Sequence, residues 1–394
     1  MADRQSKPVI KLAQTDAERE AVYRFRYQVY VDEMGKRLGY ADHQLKVLTD
    51  EFDETADLFM VELDGEVIAT ARLNHADTTD VGEYWSNVYK LERWSEFPQE
   101  TLSISSRLMV AEEWRGSAIL GGLLLKLYSH SRERGIRFSF LNCSPSLLEF
   151  YEQLGYRRYA DGFVDDDVGY HVPLVFMLED ADHLKLVHSP FWRLARSLPS
   201  DDSGTRWFKK QFPGHAQHVS KRLVDTDHFW DILENNLHAD PQQSIALLNN
   251  LDDDEARSFL DSGTILLCKT GDVIIRPGDV GDEMFVILEG VAEAWGGDDD
   301  HPISMALMGT GEVFGEIAFV SKVPRTAKVV ANTDMKLLIL TQSFFNRAMK
   351  KMPDIVAKVL LNLSVILCDR LRGRTESWVE AMMAVEDVLK EEEK

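Results

Sequence analysis

The stretch that most constrains this chain is residues 311–331, GEVFGEIAFVSKVPRTAKVVA. Val313 and Phe314 close an apolar run, and Gly315 permits a tight backbone approach that a side chain would block. The composition of residues 316–321 predicts one short helix, so its first N–H groups converge on one spot. Unpaired donors and the positive end of the helix dipole favour an anion there. Glu316 sits at that terminus, and Arg325 follows just after Pro324. An anion alone has no need of Glu316. A ligand with one phosphate and one sugar hydroxyl does, because ionised Glu only accepts hydrogen bonds while Arg only donates, often in pairs to phosphate.

The lead-in has the punctuation of short strands and turns: Gly271-Asp272, then Arg276-Pro277-Gly278-Asp279-Val280-Gly281-Asp282-Glu283, then the apolar run to Gly290. This is the pattern of a small β-roll. G-E-I-A-F-x-x-x-x-P-R-T-A resembles the phosphate-binding cassette of cyclic-nucleotide-binding domains, and the similarity extends over residues 245–372. The resemblance implies that Arg325 pairs with a cyclic phosphate and that Glu316 takes the ribose 2′-hydroxyl. It also implies that N–H groups around Gly315, Ile317 and Ala318 cradle phosphate oxygens. Thr326 stands where a hydroxyl in this family often accompanies cGMP and a small apolar residue cAMP, so either nucleotide is the expected effector.

The 394 residues suggest two or three domains, each able to bury a core. A formal net charge of −22 repels phosphate backbones, which argues against nucleic acid as a partner. No signal peptide or bilayer-spanning run is evident, and Cys143, Cys268 and Cys368 form no CxxC pair. The expected compartment is the cytoplasm.

Residues 16–34 place Val22, Phe25, Val29 and Tyr30 on one helical face. Residues 58–63 and 66–72 read as strands joined by the Asp64-Gly65 hairpin. Further strands are expected at 101–110, 138–143 and 174–178, with helices at 118–134 and 146–154. This alternation predicts a mixed α/β sheet with helices on both faces.

In that sheet a strand ending at Val110 runs through Arg115-Gly116 into a helix, so backbone N–H groups meet at a helix start suited to pyrophosphate. Asn142 ends a strand, and Tyr151 lies on the helix after it. RYQVYVDEMG, the R-G loop and N…FYEQLGYRRY together resemble the GNAT acyltransferases over residues 8–180. The resemblance implies that Tyr151 protonates the leaving thiolate and that Asn142 binds the pantetheine arm or a catalytic water. It implies a donor site at Met109, Val110, Arg115, Gly116, Ser117 and Ala118, with pantetheine pairing like an added strand. The loop lacks two of the family's glycines, which leaves room for an acyl-carrier-protein donor beside acyl-CoA. RYQVYVDE, Asp50-Glu51-Phe52-Asp53, Arg72 and Ser106-Arg107 resemble the autoinducer synthases and N-acyl amino acid synthases. Ile104 replaces the autoinducer glutamate, which disfavours lactone synthesis. Glu33, Asp53 and Glu83 are candidate general bases, Cys143 reads as a buried strand residue, and Tyr27, Tyr30, Trp85 and Trp94 divide between acyl pocket and core.

Residues 188–212 set Phe191, Trp192, Trp207, Phe208 and Phe212 beside five Arg and Lys residues. Packing on the neighbouring domain, a membrane surface and an acidic carrier protein are the three readings. His215 and His218 lack a further ligand, so no metal is expected there. Apolar residues from Val356 to Leu371 form a helical stripe, which the family resemblance makes a lid over the base and a homodimer contact. A charged tail is expected to follow, and no winged helix.

The expected architecture is α+β: a GNAT-like domain (1–185), a helical bridge (186–244), a jelly-roll-like nucleotide-binding β-roll (245–372) and a tail (373–394). The expected function is a cyclic-nucleotide-regulated N-acyltransferase moving an acyl group from acyl-CoA or acyl-carrier protein to an amino acid, small amine or protein lysine. Bacterial protein acetyltransferases with the same two modules in opposite order resemble this arrangement. The alternative is a non-catalytic nucleotide sensor or scaffold.

Overall fold

The computed structural model describes residues 7–165, 167, 169–213, 226–260, 263–297 and 301–392; His215 and His218 lie outside them. β1 (Val9–Leu12) precedes α1 (Asp16–Tyr27), which Thr15 and Glu18 start with a reciprocal capping box. α1 runs on into a π-helical segment, Gln28–Glu33. A short ribbon, β2 (Ala41–Asp42) and β3 (Val47–Leu48), leads to the hairpin of β4 (Asp57–Leu63) and β5 (Glu66–His75). Asp64 and Gly65 both take positive φ at its turn, as a two-residue hairpin loop requires. There follow α2 (Gly82–Val88), β6 (Leu102–Val110), α3 (Ala118–Glu133), β7 (Phe138–Cys143), α4 (Leu148–Leu154), β8 (Tyr156–Arg158), β9 (Phe163–Asp165) and β10 (Gly169–Met177).

These strands form one sheet in the order β1-β4-β5-β6-β7-β10-β8, with β9 on β10. β6 and β7 are parallel and pair only from Leu102↔Phe138 to Ile104↔Phe140. Beyond Ile104 the two strands separate, so β6 keeps its β5 partner but loses the other. β5 is three residues longer than expected, and β1, β8 and β9 escaped the sequence reading because each is only three or four residues long.

The residues between the two sheets are helical: α5 (Ala181–Leu186), α6 (Trp192–Ser197), α7 (Ser203–Gln211), α8 (Thr226–Leu237), α9 (Pro241–Ser244) and α10 (Asp253–Phe259). Its aromatic residues turn inward. Phe191, Phe208 and Phe212 are buried, Trp207 packs 4.8 Å from Trp94, and Arg93 lies over the Phe212 ring at 4.2 Å. A membrane or carrier surface therefore finds the basic residues but not these rings.

The second sheet domain comprises β11 (Thr264–Cys268), β12 (Val273–Ile275), β13 (Glu283–Glu289), β14 (Ala292–Gly297), β15 (Pro302–Met308), β16 (Val313–Phe314), α11 (Glu316–Ser321), β17 (Lys328–Ala331) and β18 (Met335–Thr341). Two four-stranded sheets, β11-β18-β13-β16 and β12-β17-β14-β15, face each other as a β-roll. Thr341 caps α12 (Gln342–Lys351), and α13 (Pro353–Glu392) closes the chain. The segment expected as a tail is thus helical to Glu392, in keeping with the helix preference of its Leu, Lys and Glu residues. Val356, Val359 and Leu363 enter the core while Leu361, Val365 and Leu371 stay exposed, so the apolar stripe divides between two faces. No helix among the described residues is long and apolar enough to cross a membrane.

The two sheet domains share a core. Leu141, Cys143, Leu148, Tyr170, Val172 and Leu174 of the first pack with Leu266, Cys268, Ile274, Ile275 and Phe285 of the second. α4 is at the centre of this contact. Leu148 enters the shared core, Glu149 pairs with Arg347 of α12 at 2.8 Å, and Glu152 holds Arg158 at 2.7 Å while Arg158 also donates to the Ile265 carbonyl.

Candidate active site and nucleotide-binding site

Where β6 leaves β7, a cavity of about 900 Å³ opens. One wall is the β6 segment 104–110, including Met109 and Val110; Asn142, Cys143 and Tyr151 lie across from it. A strand edge without a neighbour offers N–H and C=O groups to an extended ligand. The Val110 carbonyl is already taken, because Arg115 Nε donates to it at 3.0 Å and Arg115 is held in turn by Glu33. Gly116, Ser117 and Ala118 are exposed beside the cavity mouth, with Gly116 at φ +79° and Ser117 capping α3. Only Arg115 of that loop reaches the cavity lining among the described residues.

Tyr151 is half-buried, edge-on to Tyr156, and its hydroxyl has no hydrogen-bond partner among the described residues. Burial, reinforced by Cys143, pushes the phenol well above its ordinary value, so it stays protonated at working pH. Asn142 Nδ2 donates to Tyr89 Oη at 2.7 Å. Burial raises the Cys143 thiol far out of the nucleophilic range, in agreement with its reading as a strand residue. Tyr30 and Trp85 line the cavity. Trp94 belongs to the aromatic core, and Tyr27 bonds His43 at 2.9 Å away from the cavity.

The far corner carries a ladder of charges. Arg26 holds Asp53 at 2.7 Å; Asp53 lies 3.1 Å from Arg72; Arg72 also pairs with Asp50; and Asp50 reaches Arg107 at 2.6 Å. Arg72 Nε donates to Ser106 at 2.9 Å, and Arg107 to Tyr40 Oη at 2.9 Å. Arg107 takes φ +55°, a strained value that turns its side chain into this corner beside a β5–β6 register shift. The ladder holds three guanidinium groups and two carboxylates; of these Arg72, Arg107 and Asp50 line the cavity, with Lys36 and Glu51 beside them. Burial alone would raise the Asp50 carboxyl, but Arg72 and Arg107 hold it down at about 2.

None of the three carboxylates expected as a base is free in the cavity: each is paired or turned to solvent. Asp53 is sealed between Arg26 and Arg72, Glu33 serves Arg115, and Glu83 is exposed on α2. Sequence reasoning missed His171, which lines the cavity and is driven by burial to about 4, hence neutral. Its Nδ1 donates to the Gly169 carbonyl at 3.3 Å, which leaves the Nε2 lone pair available.

In the β-roll, Gly315 takes φ +80° ahead of α11, as the turn into the helix requires. Arg325 is buried. Its guanidinium lies between Gly315 and Gly281, where a Cβ at either position would clash with it. It donates to the carbonyls of Gly315 at 2.7 Å and Glu283 at 2.8 Å, and pairs with the Glu283 carboxylate at 3.0 Å. Glu316 is buried and held by Arg370 of α13 at 2.7 Å. Ala318 is buried, while Ile317 and Thr326 are exposed. Neither Glu283 nor Arg370 was singled out from sequence; each becomes visible only when the chain closes over the cassette.

The two sites are neighbours. Val280, Gly281 and Asp282 line the first cavity, Glu283 follows directly, and Asp279 accepts a hydrogen bond from the Arg325 backbone at 2.9 Å. One loop therefore has a face in each.

Fold and sites define a two-part chain: an α/β domain with a cleft beside an open strand edge, and a cyclic-nucleotide-binding β-roll. The N-acyl amino acid synthase FeeM family model matches residues 21–179, and the cyclic nucleotide-binding domain model matches residues 266–352. The two matches follow one another in that order along the chain. A cyclic nucleotide-gated potassium channel of Rhizobium etli is 39% identical over 89 residues, which is 23% of this chain and 24% of the channel. A cAMP-dependent protein kinase regulatory subunit of Aspergillus fumigatus is 31% identical over 116 residues, 29% of this chain and 28% of that subunit. The chain thus spans about a quarter of the length of these relatives. A crystal structure of a cyclic nucleotide-binding domain from Methylobacillus flagellatus aligns with 39% of this chain and 83% of its own, at 23% identity and TM-score 0.33.

Proposed function

We propose that the chain is a GNAT-like N-acyltransferase that joins the acyl group of a thioester to the amine of a carboxylate-bearing acceptor such as an amino acid, under control of cAMP or cGMP. The observation that carries this is the cleft between β6 and β7, with an open strand edge at one end and surplus guanidinium charge at the other. The edge suits the pantetheine arm of acyl-CoA or acyl-carrier protein. The Arg72–Arg107 corner suits the acceptor's carboxylate, which Arg binds in paired, charge-assisted hydrogen bonds. The amine nitrogen attacks the thioester carbonyl, the C–S bond breaks, Tyr151 protonates the thiolate, and His171 takes the proton the amine gives up. Asn142 orients the donor arm near the scissile bond.

Regulation follows from two internal substitutes for ligand. Glu283 stands where a cyclic phosphate would meet Arg325, and Arg370 stands where a ribose hydroxyl would meet Glu316. The nucleotide displaces both, and Glu283 is joined directly to the loop that walls the acyl cavity. α4, which bears Tyr151, is docked on the same β-roll. A coupling of ~1–3 kcal/mol would change substrate affinity about 5–150-fold.

The test is to measure thiol release from acyl-CoA and acyl-carrier-protein thioesters of rising length with free amino acids, with and without each nucleotide. Amide formation that responds to nucleotide supports the reading. A nucleotide-raised melting temperature without turnover on any pair leaves a sensor instead. The competition also sets a pH dependence. Burial holds the Glu283 carboxyl above its ordinary value, with Arg325 opposing. Protonation removes Glu283's claim on Arg325, so nucleotide affinity should rise as pH falls through that raised value. Calorimetry between pH 7 and 5 should show this slope in the parent and a flatter one, with tighter binding at pH 7, in Glu283→Gln.

A further inference from the structure

Outside both pockets, three side chains from three elements meet at one atom. Asp57 begins β4, His75 ends β5, and His130 lies in the last turn of α3. Their Nε2 atoms approach the same carboxylate oxygen, Asp57 Oδ2, at 2.9 Å from His75 and 2.7 Å from His130. One ligand atom from each residue falls within 4.8 Å of the others. The His130 ring is fixed edge-on against Phe59, with centroids 5.2 Å apart. His75 is 2% exposed and its Nδ1 is buried without a partner, so the polar attachment of that imidazole is this corner alone. Asp57 and His130 keep partial exposure, which leaves a path for an ion and a water.

We propose that Asp57, His75 and His130 form a site for a divalent transition-metal ion of the zinc class, with the fourth position left to water. Two imidazoles and one carboxylate are a ligand set that zinc accepts, and three protein ligands with one open place satisfy a four-coordinate ion. Metal–ligand bonds of ~2.0–2.1 Å put tetrahedral donor atoms about 3.3 Å apart, so each imidazole nitrogen needs to move away from Asp57 Oδ2 by roughly half an ångström. The ion's role is that of a brace. It ties the C-terminal turn of α3, whose Leu124, Leu127 and Ser131 line the acyl cavity, to the hairpin of β4 and β5.

The test uses the full chain, stripped with chelator and titrated with zinc chloride by calorimetry, then with cobalt chloride followed by visible absorption. The parent should bind one equivalent of zinc saturably, gain melting temperature, and show the intense visible bands of a low-coordinate cobalt site. His130→Gln is a mild change at a partly exposed position and should weaken zinc by more than the ~10–100-fold that outer partners of metal sites command. Asp57→Asn, with its fold checked by circular dichroism, should do the same and lose the cobalt bands. A parent chain without a saturable site overturns the proposal. So does binding of equal stoichiometry and affinity in His130→Gln, which would assign the ion to other histidines or cysteines.

Discussion

Tyr151→Phe should lower the turnover of acyl transfer by about 10²–10⁴-fold, the range that positioned proton donors contribute. The substitution removes one oxygen and keeps the ring, so the contacts with Phe150 and Tyr156, at 5.0 and 5.5 Å, survive and stability should barely change. The hydroxyl has no hydrogen-bond partner among the described residues, so its loss orphans nothing there. If the phenol protonates a departing thiolate as proposed, the deficit should shrink with thioesters of acidic aryl thiols, which leave without help. Steady-state kinetics with alkyl and aryl thioesters reads both effects. Equal turnover of parent and variant at every pH would remove Tyr151 from the chemistry.

Arg325→Ala should abolish the nucleotide response and also weaken the fold. Glu283 would be left buried without its counter-charge, and breaking such a pair from one side costs about 3–5 kcal/mol. The double change Arg325→Ala with Glu283→Gln separates the two effects: stability should largely return, while the nucleotide effect stays absent. In the parent, nucleotide at a hundredfold excess over Kd should add about 2.7 kcal/mol of stability. Thermal melts of the parent, Arg325→Ala, Glu283→Gln and the double variant with cAMP and cGMP provide the check. A double variant still stabilised by nucleotide would show that Arg325 is not the phosphate ligand.

What could be read from sequence was what depends on local spacing. Gly315, Glu316 and Arg325 lie within eleven residues, and the structure buries the two charged side chains inward. The Asp64-Gly65 turn was legible for the same reason. What stayed hidden depends on separation. Arg370 meets Glu316 from 54 residues away, and Glu283 meets Arg325 across 42. The charge ladder at Arg26, Asp53, Arg72, Asp50 and Arg107 spans four elements, and only resemblance drew attention to parts of it. The inward turn of Phe191, Phe208 and Phe212 was equally undecidable, since aromatic residues beside cations suit a lipid surface and a protein core alike. The contact between the domains through α4 depends on how two finished surfaces fit.

The Arg370–Glu316 pair lies well inside α13, which continues from there to Glu392. At 1.5 Å per residue the remaining length is about 33 Å. The segment beyond the pin works as a pointer: swinging it by about 10° there sweeps the tip through roughly 6 Å. Exchange of a guanidinium for a sugar hydroxyl, an event on the scale of one hydrogen bond, would be broadcast at the far tip as a displacement wide enough for another molecule to register.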